Sequence, residues 1–197
     1  YIIEGEVDTM LIQFSFKNYK SFRDEATLDL SAAKMTEFSD RVVCIGSEKI
    51  LPVAAIYGAN ASGKSSVYNA FEYMTEYVVE SFKYGDEEEK FTEYRPTPFL
   101  FDSNSENAES SFEVYFTLPG DKTEKSYNYG FCVGKEGITE EWLNAKAKTA
   151  RKYSSVFYRS NDNLDLTGIP KISRENLEVA LEKQVLIVSL GAKLKVT

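Results

Sequence analysis

The feature that most constrains the fold lies between residues 51 and 82, where an apolar run meets a glycine-rich loop and then a helical pattern. The run LPVAAIY, residues 51–57, is short and continuous, which predicts a central strand covered on both faces. After the loop, apolar residues recur at helical spacing and predict one buried stripe: Val67, Ala70, Phe71, Met74, Val78 and Phe82. A strand, loop and helix in this order predict a mixed α/β domain.

The loop itself fits the pattern G-x-x-x-x-G-K-[ST], a phosphate-binding loop between a strand and a helix. Unpaired amides and the positive end of the helix dipole attract phosphate oxygens, and glycines let the backbone approach them. The pattern therefore predicts ATP and Mg²⁺ as ligands, with Lys64 as the catalytic cation on the β- and γ-phosphates and Ser65 as the metal ligand. The predicted nucleotide-binding residues are Gly58, Ala59, Asn60, Ala61, Ser62, Gly63, Lys64, Ser65 and Ser66.

The rest of the chain is interpreted as one principal domain, residues 10–197, preceded by residues 1–9 as either an expression remnant or a native extension. Period-two alternation predicts strands in LIQFSFKNY and in four later segments, whereas polar and acidic stretches predict loops. The predicted order is a β-hairpin, strand, phosphate loop and helix in 10–82, a polar and acidic loop in 83–110, an antiparallel meander in 111–160 and a C-terminal helix in 161–197.

Three local features lead to predictions about single residues or short segments. Ser173 is expected to cap the final helix, although VLIVSL, residues 185–190, also fits a strand. Cys44 and Cys132 lack metal-ligand spacing and are expected to be small core residues in a reducing compartment. The acidic run Asp86–Glu89 is expected to be a solvated surface rather than a metal site.

Composition excludes several classes of function. The formal net charge of -8 argues against broad nucleic-acid binding, which needs clustered cations. The chain has no histidine, which excludes histidine-dependent triads and histidine-ligated zinc. Neither a secretory signal nor an apolar run of membrane-spanning length is recognisable, so a cytoplasmic location without membrane contact is expected.

Hydrolysis of ATP would need further groups that the sequence does not supply clearly. An acid that holds the metal through water usually ends a second apolar strand. The nearest candidate is PFLFD, ending at Asp102, but its proline favours an edge strand. We therefore expect nucleotide binding without efficient turnover.

Three segments together, MLIQFSFKNYKSFRDEATLDLSA, AAIYGANASGKSSVYNAFEYM and SYNYGFCVGKEGITEEWL, resemble the N-terminal half of bacterial AAA15-type ATP-binding proteins. These are ABC/SMC-like ATPases related to the overcoming-lysogenization-defect and RloA-like proteins. The resemblance implies an ABC-type head with an antiparallel β-subdomain flanking a mixed core sheet.

The resemblance also implies partners and further contacts. Such heads form homodimers that sandwich ATP, and nucleotide state would control a nuclease or phage-defence partner. The segment KNYKS matches the part of the family that lies beside the nucleotide, which implies contacts from Asn18, Lys20 and Ser21. The family's signature, second acidic motif and switch residue are expected after residue 197.

Two other classes of function remain open. The first is a nucleic-acid or protein interaction module with an incidental loop motif, in which AKAKTARKY supplies a phosphate-tracking patch: Lys146, Lys148, Arg151, Lys152 and Tyr153. Solvated cations in a hairpin loop explain the same residues. The second is a nucleotide-dependent kinase, for which the scarcity of arginine is unfavourable.

Overall fold

The computed structural model describes residues 9–33, 39–83, 88–118 and 124–196. These residues form nine strands: β1 Met10–Lys17, β2 Ala26–Asp29, β3 Val43–Ile45, β4 Glu48–Ile50, β5 Ser110–Thr117, β6 Ser126–Val133, β7 Ile138–Lys146, β8 Ser154–Ser160 and β9 Leu164–Asp165. Its helices are α1 Lys64–Glu80, α2 Glu88–Tyr94, α3 Ser103–Asn107, α4 Lys171–Ala180 and α5 Ile187–Leu194, with 3-10 turns at Ser39–Arg41 and Ser81–Lys83. Among the described residues, no helix is both long and apolar enough to cross a bilayer.

Seven strands form one sheet in the order β2-β1-β5-β6-β7-β8-β9, and every neighbouring pair is antiparallel. The alternation in β1 places Phe14 and Phe16 in the main core, whereas Ile12, at a register shift between Leu11 and Gln13, is buried in a second cluster with Ile45 and Ile50. Strands β3 and β4 form a separate hairpin beside it. The predicted mixed α/β class with an antiparallel β-subdomain is confirmed.

Helix α1 packs one face against this sheet. Ala70, Met74 and Tyr77 are its fully buried residues, and they join a core rich in aromatic rings. Tyr77 stacks on Phe131 with ring centroids 5.5 Å apart, and Phe131 in turn lies against Phe112 at 5.6 Å. Burying each such ring contributes about 1.5–3 kcal/mol, so these ring contacts stabilise the packing of α1 on the sheet.

The prediction of a strand over residues 51–57 is wrong. This segment has no regular secondary structure, and its apolar side chains face solvent, with Val53 78% and Tyr57 90% exposed. A central strand needs hydrogen-bonded neighbours and two covered faces. Within the described residues, neither hairpin β3–β4 nor the seven-stranded sheet supplies a strand beside it, so its apolar composition alone does not make it a strand.

Residues 83–110 are not only loop, because α2 and α3 lie within them. The expected edge strand PFLFD is absent; these residues form a turn that leads into α3. Asp102 caps α3, accepting hydrogen bonds from Asn104 N at 3.3 Å and Ser105 Oγ at 2.9 Å. A carboxylate placed just before a polar run stabilises a helix start rather than a strand end.

The C-terminal region holds two helices rather than one. Ser173 lies inside the first turn of α4, whose cap position is Pro170, so the predicted serine cap is wrong. The alternative of a strand in VLIVSL is also wrong, since α5 begins within it. Cys132 is buried as expected, whereas Cys44 is exposed, because it alternates in β3 with Val43 and Ile45, which lie on the covered face.

Other predictions fall on residues whose structure is not described. Residues 1–8 and the side chains of the acidic run lie outside the described residues. The described residues contain no group of three or more acidic or cysteine side chains placed to hold a metal ion.

Candidate nucleotide-binding site

The glycine-rich loop leads directly into α1 through two left-handed residues. Ala61 has φ 61°, and Gly63, the N-cap of α1, has φ 89°. A Cβ on Gly63 would lie 3.0 Å from the Phe22 ring and 3.2 Å from Ser21 Oγ. Glycine is required here because the backbone is left-handed and the β1–β2 turn lies against it.

The backbone amides of the loop are available to a ligand. Among the described residues, no carbonyl or side chain accepts a hydrogen bond from the amides of Asn60, Ala61, Gly63, Lys64 or Ser65. No side chain caps this end of α1 either. Unpaired amides at a helix N-terminus carry partial positive charge and form an anion site.

Lys64 bends back over the loop. Its Nζ donates to the carbonyls of Gly58 at 2.9 Å and Ala59 at 2.6 Å. The loop is folded so closely that a Cβ on Gly58 would lie 2.7 Å from Ser62 Oγ. The ammonium thus lies beside the unpaired amides, where phosphate oxygens can replace the two carbonyls as its acceptors.

Two of the three side chains assigned by resemblance lie beside the loop. Ser21 Oγ donates to Ser66 Oγ at 2.9 Å, which ties the β1–β2 turn to the first turn of α1. With the Asn69 amide oxygen turned toward Lys20, that oxygen accepts from Lys20 Nζ at 2.9 Å and the amide nitrogen donates to Ser65 O at 3.3 Å. A second ammonium therefore lies near the N-terminus of α1.

The structure contradicts the assignment of the Asn18 side chain to the nucleotide. Asn18 is 2% exposed, and its Nδ2 donates to the carbonyls of Ser105, Ala108 and Glu109 at 2.8–3.2 Å. Its Oδ1 accepts from Phe99 N at 3.0 Å. With both amide atoms occupied, Asn18 joins the β1–β2 turn to the segment around α3 and has no atom left for a ligand.

Replacing Asn18 with alanine should lower the free energy of unfolding by about 2–3 kcal/mol, because buried backbone groups lose their partners. Urea denaturation would measure the change. Asn107→Ala is the control: its exposed side chain donates to Ser103 O of its own helix and accepts from the exposed Lys135 Nζ, so its effect should stay within about 0.5 kcal/mol. If Asn18→Ala instead had normal stability but weakened ATP binding, the prediction that the Asn18 side chain contacts the nucleotide would be supported.

The acid considered for hydrolysis is occupied elsewhere. The hydrogen bonds that Asp102 accepts from Ser105 and from the Asn104 amide hold the pKa of its carboxyl below the usual range. It acts as a helix cap in this structure, and nothing places it at the loop.

The basic segment is partly neutralised. Lys146 pairs with Glu48 at 2.6 Å and lies over the Tyr153 ring at 5.2 Å, and Lys148 pairs with Glu124. Two of the four cations of the predicted patch are therefore engaged within the chain, which weakens its use for phosphates.

Sequence reasoning missed two supports of the loop, Phe22 and Asn69. Phe22 packs against Phe16 with ring centroids 5.0 Å apart and fills the space beside Gly63. The only signal was its position directly after KNYKS, and an aromatic residue in a polar turn does not by itself indicate which backbone it contacts.

A glycine-rich loop with free amides at the start of an amphipathic helix, in a mixed α/β fold, is consistent with a P-loop NTPase-like domain. The family model described as "AAA domain, putative AbiEii toxin, Type IV TA system" matches residues 53–171, more than half of the chain. The chain belongs to this AAA domain family, whose members are nucleotide-binding, ATPase-type domains. No curated protein matches the sequence.

Proposed function

We propose that this chain binds ATP with Mg²⁺ at the loop formed by residues 58–66. The observation that carries the proposal is the set of unpaired amides at the start of α1, with the Lys64 ammonium beside them. The amides would hold the phosphates, Lys64 would bridge the β- and γ-phosphates, and Ser65 would offer its hydroxyl to the metal. Lys20 adds positive charge at the same helix end.

The proposed activity of the chain by itself is binding with little turnover. Among the described residues, no acidic cluster is placed to hold a metal, and Asp102 caps α3. A second acid and an activated water are needed for efficient hydrolysis. By the resemblance to RloA-like ATPases, a homodimer that encloses ATP would supply the missing groups and control a nuclease or defence partner in the cytoplasm.

Lys64→Ala should weaken ATP binding by about 10- to 100-fold, the loss expected for a charge-assisted hydrogen bond to phosphate. Calorimetric titration with MgATP would measure it. Lys171→Ala is the control, because Lys171 is an exposed lysine and, like Lys64 in α1, is the first residue of its helix, α4. Its affinity should match the unaltered protein.

Equal affinities for Lys64→Ala and Lys171→Ala would refute the proposed site. Salt-dependent DNA binding in the absence of ATP binding would instead favour the interaction module. Reversing the charges of the basic segment around Lys148 and Arg151 would then test whether that segment binds the DNA.

A further inference from the structure

The link between α4 and α5 is held by side chains of other elements rather than by its own secondary structure. On the sheet side, the Arg159 guanidinium of β8 donates to three backbone carbonyls at 2.6–3.1 Å, those of Glu182, Lys183 and Val185. Glu141 of β7 accepts from the Ile187 amide at 2.8 Å. We call residues 182–189, with the side chains that bind them, the α5 latch.

The other side of the latch belongs to α1 and the turn that follows it. Tyr77 Oη donates to Gln184 O at 2.8 Å, and Ser81 Oγ accepts from the Leu186 amide at 3.1 Å. The Phe82 amide donates to Ser189 Oγ at 3.3 Å. The end of α1 is therefore fastened to the same short segment that the sheet binds.

Burial makes this docking cooperative. Val185, Leu186 and Ile187 are buried in the main core, so the segment cannot leave without exposing all three. Its hydrogen bonds lie out of water, where an unpaired partner is costly. Two discrete states, docked and released, are the expected behaviour of such a packed element.

One helix connects the latch to the loop. Helix α1 has 17 residues, which at 1.5 Å per residue spans about 25 Å. Its first residue is Lys64, and Tyr77 lies in its last turns. A displacement of α1 against the sheet must move the latch segment with it, or break the bonds on one of the two sides.

We propose that the α5 latch couples phosphate-loop occupancy to the docking of α5, with α1 as the connecting element. The inference rests on the proposed nucleotide site. A ligand that favours one position of α1 will favour one state of the latch, and by reciprocity the latch state will alter the affinity of the loop. The latch is thus a regulatory contact between the phosphate loop and α5.

Hydrogen–deuterium exchange on the unaltered chain, with and without saturating MgATP, tests the coupling. The amides of residues 186–188 should change their exchange rate by at least about fivefold, the lower range of allosteric coupling. Amides in the middle of β6, which is paired on both sides, should not change. The same sample is titrated with MgATP so that binding is measured directly.

Tyr77→Phe removes the hydroxyl that fastens α1 to Gln184 and should at least halve the nucleotide-induced change. Tyr158→Phe is the control, since its hydroxyl bonds Glu140 at the sheet surface and not the latch. An equal reduction in both variants would count against the coupling through α1.

The two proposals fail in different ways. Measured MgATP binding with unchanged exchange at residues 186–188 overturns the coupling and leaves the nucleotide site intact. Absence of MgATP binding overturns both. If Tyr77→Phe does not fold, the comparison on the unaltered chain still decides the question.

Discussion

Replacing Arg159 with methionine should lower the free energy of unfolding by about 3–5 kcal/mol at pH 8, because it leaves a buried carboxylate without its cation. Arg159 Nη1 lies 3.7 Å from Glu141 Oε2, and the Glu141 side chain is fully buried. The same substitution removes all three hydrogen bonds to the carbonyls of residues 182–185. Methionine keeps much of the volume of the side chain, so the loss reports polar interactions rather than a cavity.

Arg174→Met is the matched control for this prediction. Arg174 also donates to backbone carbonyls, those of Thr167 and Ile169, but its described contacts include no buried acid. Its replacement should cost about 1 kcal/mol. Urea denaturation of both variants and the parent, at pH 8 and pH 5, supplies the comparison.

The pH dependence separates the charge from the hydrogen bonds. At pH 5 Glu141 is able to take up a proton, so the decrease in the free energy of unfolding caused by Arg159→Met should be smaller than at pH 8. Equal losses of stability for Arg159→Met and Arg174→Met at pH 8 would show that the buried ion pair contributes no more than the hydrogen bonds of a half-buried arginine.

Much of the sheet was predictable because its signal is local. Phe112, Val114 and Phe116 alternate with polar residues in β5, and Phe112 is fully buried. In β6, Tyr129 and Phe131 are two residues apart, and both are buried. A strand with one face on the core carries period two in its own sequence, whatever its neighbours are.

Residues 51–57 show where local reasoning fails. Their composition is that of a buried strand, yet Val53 and Tyr57 are largely exposed. Whether an apolar run becomes a central strand depends on partner strands on both sides, and the sequence of the run does not indicate whether such partners exist. The loop that follows depends on its own glycines, so its form was predictable from the motif.

The residues around the site divide in the same way. Gly63 and Lys64 belong to a short contiguous motif with a direct physical role, so the sequence alone predicts them as nucleotide-binding residues. Asn18 was misassigned, because its four partners come from residues 99–109, about ninety positions along the chain. Only the folded structure shows that both atoms of its side-chain amide already have hydrogen-bond partners.

The α5 latch had no sequence signal. Glu141 lies in ITEEWLNA beside Glu140, and nothing in that stretch distinguishes the buried acid from the half-buried one. The distinction follows from strand register, since Glu141 faces Tyr129 and α5 whereas Glu140 bonds Tyr158 on the other face. A one-residue shift in register would exchange the two.

The second large effect expected is a loss of stability as pH rises, carried by Glu141. Burial raises the pKa of Glu141 to about 7 from 4.5, against the opposing effects of the Ile187 amide, Arg159 and Tyr129. Between these two values the folded chain holds a proton that the unfolded chain has released. The contribution of this group to stability is therefore fully present below about pH 4.5 and falls by about 3 kcal/mol as pH rises through 7.

Glu141→Gln isolates this contribution, because glutamine cannot ionise and its other effects on stability do not titrate. The free energy of unfolding of the parent minus that of Glu141→Gln should fall by about 3 kcal/mol between pH 4.5 and pH 8. Glu140→Gln, on the opposite face of β7, removes one half-buried carboxylate from the same strand and is the control for the loss of a charge there. A flat difference for Glu141→Gln, or one that rises with pH, would show that Arg159 and the amides at the start of α5 offset the effect of burial, so that the pKa of Glu141 is not raised in the fold.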